Sequence, residues 1–154
     1  MSDTKPDLAI IGGGPAGLTL ALSLHQKQAD LSYAILERAE YPRMKTCAGG
    51  IAGSIAPILE RLELDLPEPS LKIEGVEVRF RGRKLELEQK DIGHVVRRDI
   101  FDNGIAEAVK SRGIELREGC DVLSVKREGD GFIIETADGT IAAKAIAVCT
   151  GAAG

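Results

Sequence analysis

The apolar positions of this chain change their spacing from segment to segment, and that change separates strands from helices. After Asp7, the run Leu8-Ala9-Ile10-Ile11 is continuous and ends in Gly12-Gly13-Gly14. A short apolar run bounded by turn residues reads as a buried strand. From Pro15 to Gln28 the residues Leu18, Ala21, Leu22 and Leu24 fall at helical spacing. Pro15 lies in the first turn, where its missing N–H costs nothing. Ser32 to Leu36 is a second apolar run. Asp7 to Glu37 therefore forms one βαβ unit, whose strands are parallel and whose crossover is right-handed.

The pattern then loosens. Arg38 to Gly53 holds Pro42 and Gly49-Gly50 and reads as a long loop, after which Ser54 is expected to cap a short helix carrying Ile55, Ile58, Leu59 and Leu62. Val76, Val78 and Phe80 alternate with polar residues, as do Leu85 and Leu87, with Arg81-Gly82-Arg83 between them. This is a β-hairpin, placed at 70–90. Asp99 and Asp102 open another helix, with Phe101, Ile105, Ala108 and Val109 on one face and Gly113 as its stop. Ile114 to Leu116 is a strand. Val122 to Lys126, Phe132 to Thr136 and Thr140 to Ala142 follow as an antiparallel β-meander, with turns at Gly129-Asp130-Gly131 and Asp138-Gly139. Ala145 to Cys149 is a last buried strand leading into Thr150-Gly151. The fold class is α/β, with a parallel sheet at its centre.

Composition narrows the function classes. A chain of 154 residues is the size of one domain. Its net charge of −4, without a basic block, argues against a nucleic-acid surface. The uncharged stretch Leu8 to Leu24 is interrupted by glycines and a proline and has no basic flank, so neither a transmembrane segment nor a signal peptide is expected. Cys47, Cys120 and Cys149 are too few and too scattered for a disulfide framework or a metal site. The chain reads as soluble and cytoplasmic.

The chemistry concentrates at the end of the first strand. Gly12-Gly13-Gly14-Pro15-Ala16-Gly17 is a G-x-G-x-x-G turn between a strand and a helix. In that pattern Gly12 allows the tight turn, Gly14 lets a pyrophosphate approach the backbone, and Gly17 lets helix and strand pack closely. Free N–H groups at the helix start favour an anion. Glu37 ends the second strand twenty residues past Gly17, where such a site needs an acid for the ribose hydroxyls. Strand, glycines, helix, strand and acid in register point to a dinucleotide ligand.

Four stretches carry a family resemblance. Gly12 to Leu18 followed by Glu37-Arg38 resembles the glutathione-reductase-type FAD/NAD(P)-binding Rossmann-like fold. Tyr41 to Gly50, with Cys47-Ala48-Gly49-Gly50, resembles the P-x-x-x-x-C-x-G-G segment of geranylgeranyl reductases. Arg98-Asp99-Ile100-Phe101-Asp102 resembles the R-x-x-F-D helix start that those reductases share with para-hydroxybenzoate-hydroxylase-type monooxygenases, and Thr140 to Gly151 resembles the run that ends their FAD-binding half.

The resemblance implies FAD as cofactor. Gly12, Gly14, Pro15, Ala16 and Gly17 would face the pyrophosphate, Glu37 and its neighbour Arg38 the adenosine ribose, and the backbone of Val122 the adenine. Arg98 would contact the phosphate or ribityl region, and Gly151 would lie beside the cofactor. Cys47, Gly49 and Gly50 would reach the isoalloxazine, with Arg43 and Lys45 giving Cys47 positive surroundings that lower a thiol pKa; Cys47 is the one catalytic candidate. Packing is the plainer role for Cys47, and Cys120 and Cys149 read as core thiols. As a plain surface cation, Arg98 would instead stand near Asp99 and Asp102.

Complete relatives would reduce C=C bonds of polyprenyl chains, using NAD(P)H or another electron donor and a prenyl-lipid or other apolar substrate. That would place the protein in the cytoplasm, peripheral to a membrane where the substrate is a lipid. A flavin monooxygenase and a non-catalytic dinucleotide-binding module are the alternatives. On this resemblance the whole chain, 1–154, is an FAD-binding domain, interrupted by the 70–90 hairpin as a first piece of a substrate domain that is otherwise absent. Thr150 stands where the family carries an acid, and the open edges of the hairpin would favour association.

Overall fold

A computed structural model describes residues 5–151. They form two compact units, one from the residues up to Arg43 together with Asp102 onward, the other from Met44–Phe101.

The first unit is built on a four-stranded parallel sheet. β1 (Leu8–Ile11) lies between β10 (Ala145–Val148) and β2 (Tyr33–Leu36), and β6 (Glu115–Arg117) pairs with the far side of β2. Ala9, Ile10, Ala34, Ile35 and Leu36 are essentially without solvent contact, as expected of parallel strands covered on both faces. Asp7 fixes the entry into the sheet. Its carboxylate accepts from the Ser32 N–H and hydroxyl at 2.8 Å and pairs with Lys144 at 2.6 Å. The Lys144 bond, then those from Ser32, hold this carboxyl well below the usual range.

α1 (Pro15–Gln26) follows the glycine turn and buries Gly17, Leu18, Ala21 and Leu22, one stripe of its surface. α3 (Arg98–Ser111) buries Asp102, Ile105, Ala106 and Val109; Ala106, not Ala108, completes its inner face. Its exit is the expected one, with Gly113 at φ +71 and its N–H on the Lys110 carbonyl. The meander is β7 (Val122–Glu128), β8 (Gly131–Thr136) and β9 (Gly139–Ala143). Buried Ile134 and Ala143 join Ala9 and Leu36 in one apolar cluster, with Cys120, Val122, Ile141 and Ile146 at its margin. Cys120 and Cys149 are therefore half-buried rather than core thiols; even so, burial pushes both thiols up.

The second unit departs more from the sequence reading. A strand, β3 (Gly50–Ala52), forms inside the expected loop and pairs with β5 (Arg83–Val96), which pairs with β4 (Ser70–Phe80). The hairpin thus extends to Val96, past the expected end near 90, and Arg83 already belongs to its second strand. β3 carries no apolar alternation and depends on backbone fit. Gly49, Gly53 and Gly93 lie where an added Cβ would strike backbone oxygens of Val96, Asp91 and Ile51. Ser54 does not cap α2 (Ala56–Arg61). It sits inside a 3-10 turn, Gly53–Ile55, and no side chain caps the helix. The hairpin keeps its two faces apart. Val76, Val78, Phe80, Leu85 and Leu87 are exposed on one face, while Glu77, Arg79, Lys84 and Glu86 form an ion-pair network on the other.

At Gly17 a Cβ would collide with the Gly12 carbonyl and approach Ile10 Cγ2 at 3.2 Å. Gly17→Ala is expected to cost about 1–3 kcal/mol, the range for forced overpacking. Urea unfolding of the variant checks this; an unshifted midpoint would show that the helix can move away.

Candidate functional site

β1 and β10 run side by side, and the chain leaves the end of β1 toward α1 and β2, on the opposite side from β10. The point where connections diverge at the carboxyl ends of parallel strands is where α/β sheets bind ligands. The glycine turn stands there, and its glycines do different work. Gly12 has φ +103, and its Cβ would lie 2.6 Å from the Cys149 carbonyl oxygen, so it lets the ends of β1 and β10 approach. Gly17 seats the helix on the turn. Gly14 alone does neither. Its backbone is ordinary, φ −72 and ψ 177, and a Cβ there would meet nothing nearer than Arg43 Nη2 at 3.7 Å. Pro15 opens α1, Ala16 is exposed, and the first turn carries no acid.

Glu37 is buried directly beneath this turn. Its Oε2 accepts from the Gly13 N–H at 2.7 Å and its Oε1 from the Ala39 N–H at 3.0 Å. Glu37's own backbone is held to β6 and its following turn, the N–H on the Arg117 carbonyl and the carbonyl on the Cys120 N–H, both at 2.9 Å. Arg38, beside it, is exposed. Each carboxylate oxygen retains a lone pair after these bonds and can accept a further hydrogen bond.

The sequence reading missed what surrounds this carboxylate. Gly13 is required as well, since a Cβ there would lie 2.9 Å from Glu37 Cβ and strike the Tyr41 hydroxyl. Tyr41 donates its hydroxyl to the Gly13 carbonyl, and Arg43 Nη2 reaches the same oxygen at 3.3 Å. Arg43 also lies 3.4 Å from Asp102, which is fully buried, and 3.9 Å from Glu37. The Arg43 charge is thus matched by two acids of the first unit. The Tyr41 N–H is held by Glu118 at 2.7 Å, and the Arg43 guanidinium lies 5.5 Å from the ring centre. In the sequence, Pro42, a basic pair and the resemblance of Tyr41 to Gly50 marked this stretch, and none of them pointed to the Tyr41 hydroxyl.

Val122 opens β7 opposite Thr136, half-buried at the edge of the apolar cluster. Gly151 follows β10 at φ +78. The remaining candidates lie in the second unit. There a groove of about 610 Å3 brings together Cys47, Lys45, Arg98, Met44, Leu71 and Val95. Cys47 is exposed, and its sulfur accepts from the Gly49 N–H at 3.4 Å. Gly49, at φ +77, is buried against Val96, whereas Gly50 faces open space. Asp99, next to Arg98, pairs with Arg97 at 2.5 Å. Among the described residues, no helix is long and apolar enough to cross a membrane, and no cluster of His, Cys, Asp and Glu is arranged for a metal ion.

No family model matches the chain. Digeranylgeranylglycerophospholipid reductase 3 of Methanosphaera stadtmanae is 29% identical over 143 residues, covering 88% of this chain and 35% of the relative. In sequence the chain is similar to the geranylgeranyl-reductase-like flavoproteins. A geranylgeranyl bacteriochlorophyll reductase-like protein from Thermoplasma acidophilum shares the fold at a TM-score of 0.77 and 21% identity, over 95% of this chain and 39% of that one. A halogenase variant solved in complex with FAD does so at 0.76 and 19%, over 96% and 34%. The parallel sheet, glycine turn and meander thus belong to the Rossmann-type fold that these proteins share. The chain spans about a third of the length of the reductase it matches in sequence.

Two outcomes test the cluster. Asp102→Asn would leave the buried Arg43 guanidinium short of a counter-charge and is expected to cost about 3–5 kcal/mol in denaturant unfolding; a loss below ~1 kcal/mol would show that Glu37 suffices. Burial pushes the Tyr41 hydroxyl up to about 12. A tyrosine raised above its unfolded value near 10 stabilises the fold fully below that pH, and the contribution is lost as pH rises through about 12. Burial also raises Tyr33, so ultraviolet titration of the native chain should show no tyrosinate forming at the ordinary pH. Ionisation near pH ~10 would place Tyr41 in water.

Proposed function

We propose that this chain is the FAD-binding part of a flavoprotein oxidoreductase similar to the geranylgeranyl reductases. One observation carries the reading. Gly14 is a turn glycine that neither the backbone conformation nor any close neighbour requires, in front of free helix N–H groups and above a buried acid at the end of β2. A pyrophosphate needs that space. The fit extends to charge: Arg43 Nη2 is the nearest atom to the open side of Gly14, and a guanidinium is a strong phosphate donor.

In this reading Gly12, Gly14, Pro15, Ala16 and Gly17 form the phosphate turn. Glu37 takes the ribose, with Arg38 beside it, Val122 offers backbone groups to adenine, and Gly151 borders the cofactor. The residues that the resemblance gives to the flavin end, Cys47, Gly49, Gly50 and Arg98, lie in the second unit. FAD, when bound, supplies hydride transfer. The acceptor would be a C=C bond of a prenyl lipid or another apolar substrate, the donor NAD(P)H or a comparable reductant. A cytoplasmic protein working at a membrane surface suits such a substrate. The exposed apolar face of the hairpin suits association.

Because the assigned groups serve mostly the ADP half, FAD is expected to bind this chain at micromolar affinity or weaker. ADP should compete nearly as well, and FMN or riboflavin hardly at all. Gly14→Val should abolish binding yet unfold at the wild-type midpoint, since the backbone there accepts a side chain. Calorimetry and a flavin absorption titration decide it. Wild-type affinity in Gly14→Val would reduce the glycine run to a turn, and FMN displacing FAD as readily as ADP does would move the site elsewhere.

A further inference from the structure

We propose that the Tyr41 hydroxyl is the positioning group of the phosphate turn: by holding the Gly13 carbonyl inward, it aims the Gly14 N–H at the ligand. The inference rests on the nucleotide-binding reading above and adds to it a residue outside the glycine motif.

In a planar trans peptide, the C=O and N–H point in opposite directions. The peptide joining Gly13 to Gly14 has its carbonyl bonded inward, to the Tyr41 hydroxyl and, at 3.3 Å, to Arg43 Nη2. Its N–H therefore points the opposite way, away from the Tyr41 hydroxyl and Arg43 Nη2. The preceding peptide is pinned in the reverse sense, because the Gly13 N–H donates inward to Glu37 Oε2 at 2.7 Å. Two successive peptides are thus locked with opposite polarity facing inward, one by an acceptor and one by a donor.

A run of three glycines needs such a lock. Glycine explores backbone conformations that other residues cannot, so an unheld Gly13-Gly14 peptide can rotate and present its carbonyl to the ligand. A carbonyl facing a phosphate repels it. Binding would then require the turn to be reorganised, and the apparent affinity falls by the fraction of chains in the competent state.

Tyr41 is fit to hold the turn because it is itself held. Its N–H is fixed by Glu118, and its ring stands between the Arg43 guanidinium at 5.5 Å and the Lys110 ammonium at 6.0 Å. Glu118 in turn pairs with Lys110 at 2.6 Å. With burial raising its pKa to about 12, the hydroxyl stays a proton donor across the physiological range. Arg43 is a weaker substitute at this carbonyl, since its guanidinium is shared with Asp102 and Glu37.

The test is Tyr41→Phe in the full chain, which deletes one oxygen and keeps the ring between its two cations. Calorimetry with ADP and with adenosine gives the readout, because only ADP meets the Gly14 N–H. ADP affinity should fall roughly threefold to tenfold, the effect of one neutral hydrogen bond, while adenosine affinity stays at the wild-type value. In the wild-type chain, the Gly14 amide resonance should move on addition of ADP and not of adenosine. Equal ADP affinity in Tyr41→Phe, or equal losses for both ligands, would overturn the positioning role and leave the nucleotide site standing. A Gly14 amide that ignores ADP, in a chain that binds it, would overturn the role without any variant. A wild-type chain that binds neither ligand would overturn the nucleotide reading and this inference together.

Discussion

The backbone at the end of β1 has to pass through a space that side chains cannot share. The Gly12 carbonyl lies where a Cβ on Gly17 would be, the Cys149 carbonyl where one on Gly12 would be, and Glu37 and Tyr41 where one on Gly13 would be. These three approaches fix the angle of α1 to the sheet, the spacing of β1 and β10, and the depth of the acid beneath the turn. Gly14 stands free of all of them. The crowding of its neighbours is what leaves its open side in a fixed place, so the free space here is a by-product of close packing.

That division explains what could be read from the sequence. The βαβ unit was legible because its strands are continuous apolar runs and its helix has a clear stripe, and the meander because its turns carry Gly-Asp and Asp-Gly signals. β3 was not legible. It is short, its residues are Gly50, Ile51 and Ala52, and it exists because Gly49, Gly53 and Gly93 let two backbones touch. Glycine spacing alone does not tell a loop from a strand made possible by glycines. Ser54 misled for a related reason: a 3-10 turn occupies the place of the cap, so the helix begins one residue after the serine's turn ends.

The site shows the same boundary. The placement of Gly12, Gly14, Gly17 and Glu37 around the ends of β1 and β2 was legible because their spacing along the chain is set by one strand, one helix and the next strand. Tyr41, Arg43, Asp102 and Glu118 were not, because what joins them is folding across 59 positions between Arg43 and Asp102 and 77 between Tyr41 and Glu118. Arg43 in particular looks, in sequence, like a neighbour of Cys47. The fold pairs it with buried acids that no sequence spacing marks, and an unpaired guanidinium with so little solvent contact would be costly.

The Arg43–Asp102 pair has a consequence for the architecture as a whole. Arg43 is the last residue of the first unit before the chain departs, and Asp102 is the first on its return. Their side chains meet at 3.4 Å. The two strands of the excursion are thereby stapled at its root, and whatever lies between them begins and ends at one fixed point. Lengthening such a loop adds little to the entropy of closing it, roughly 0.6 kcal/mol per doubling. The stretch between the staple's two ends is thus free to be exchanged, shortened or enlarged at small energetic cost to the sheet that holds the glycine turn. A fold closed in this way can keep one glycine-turn platform while its inserted segment diversifies.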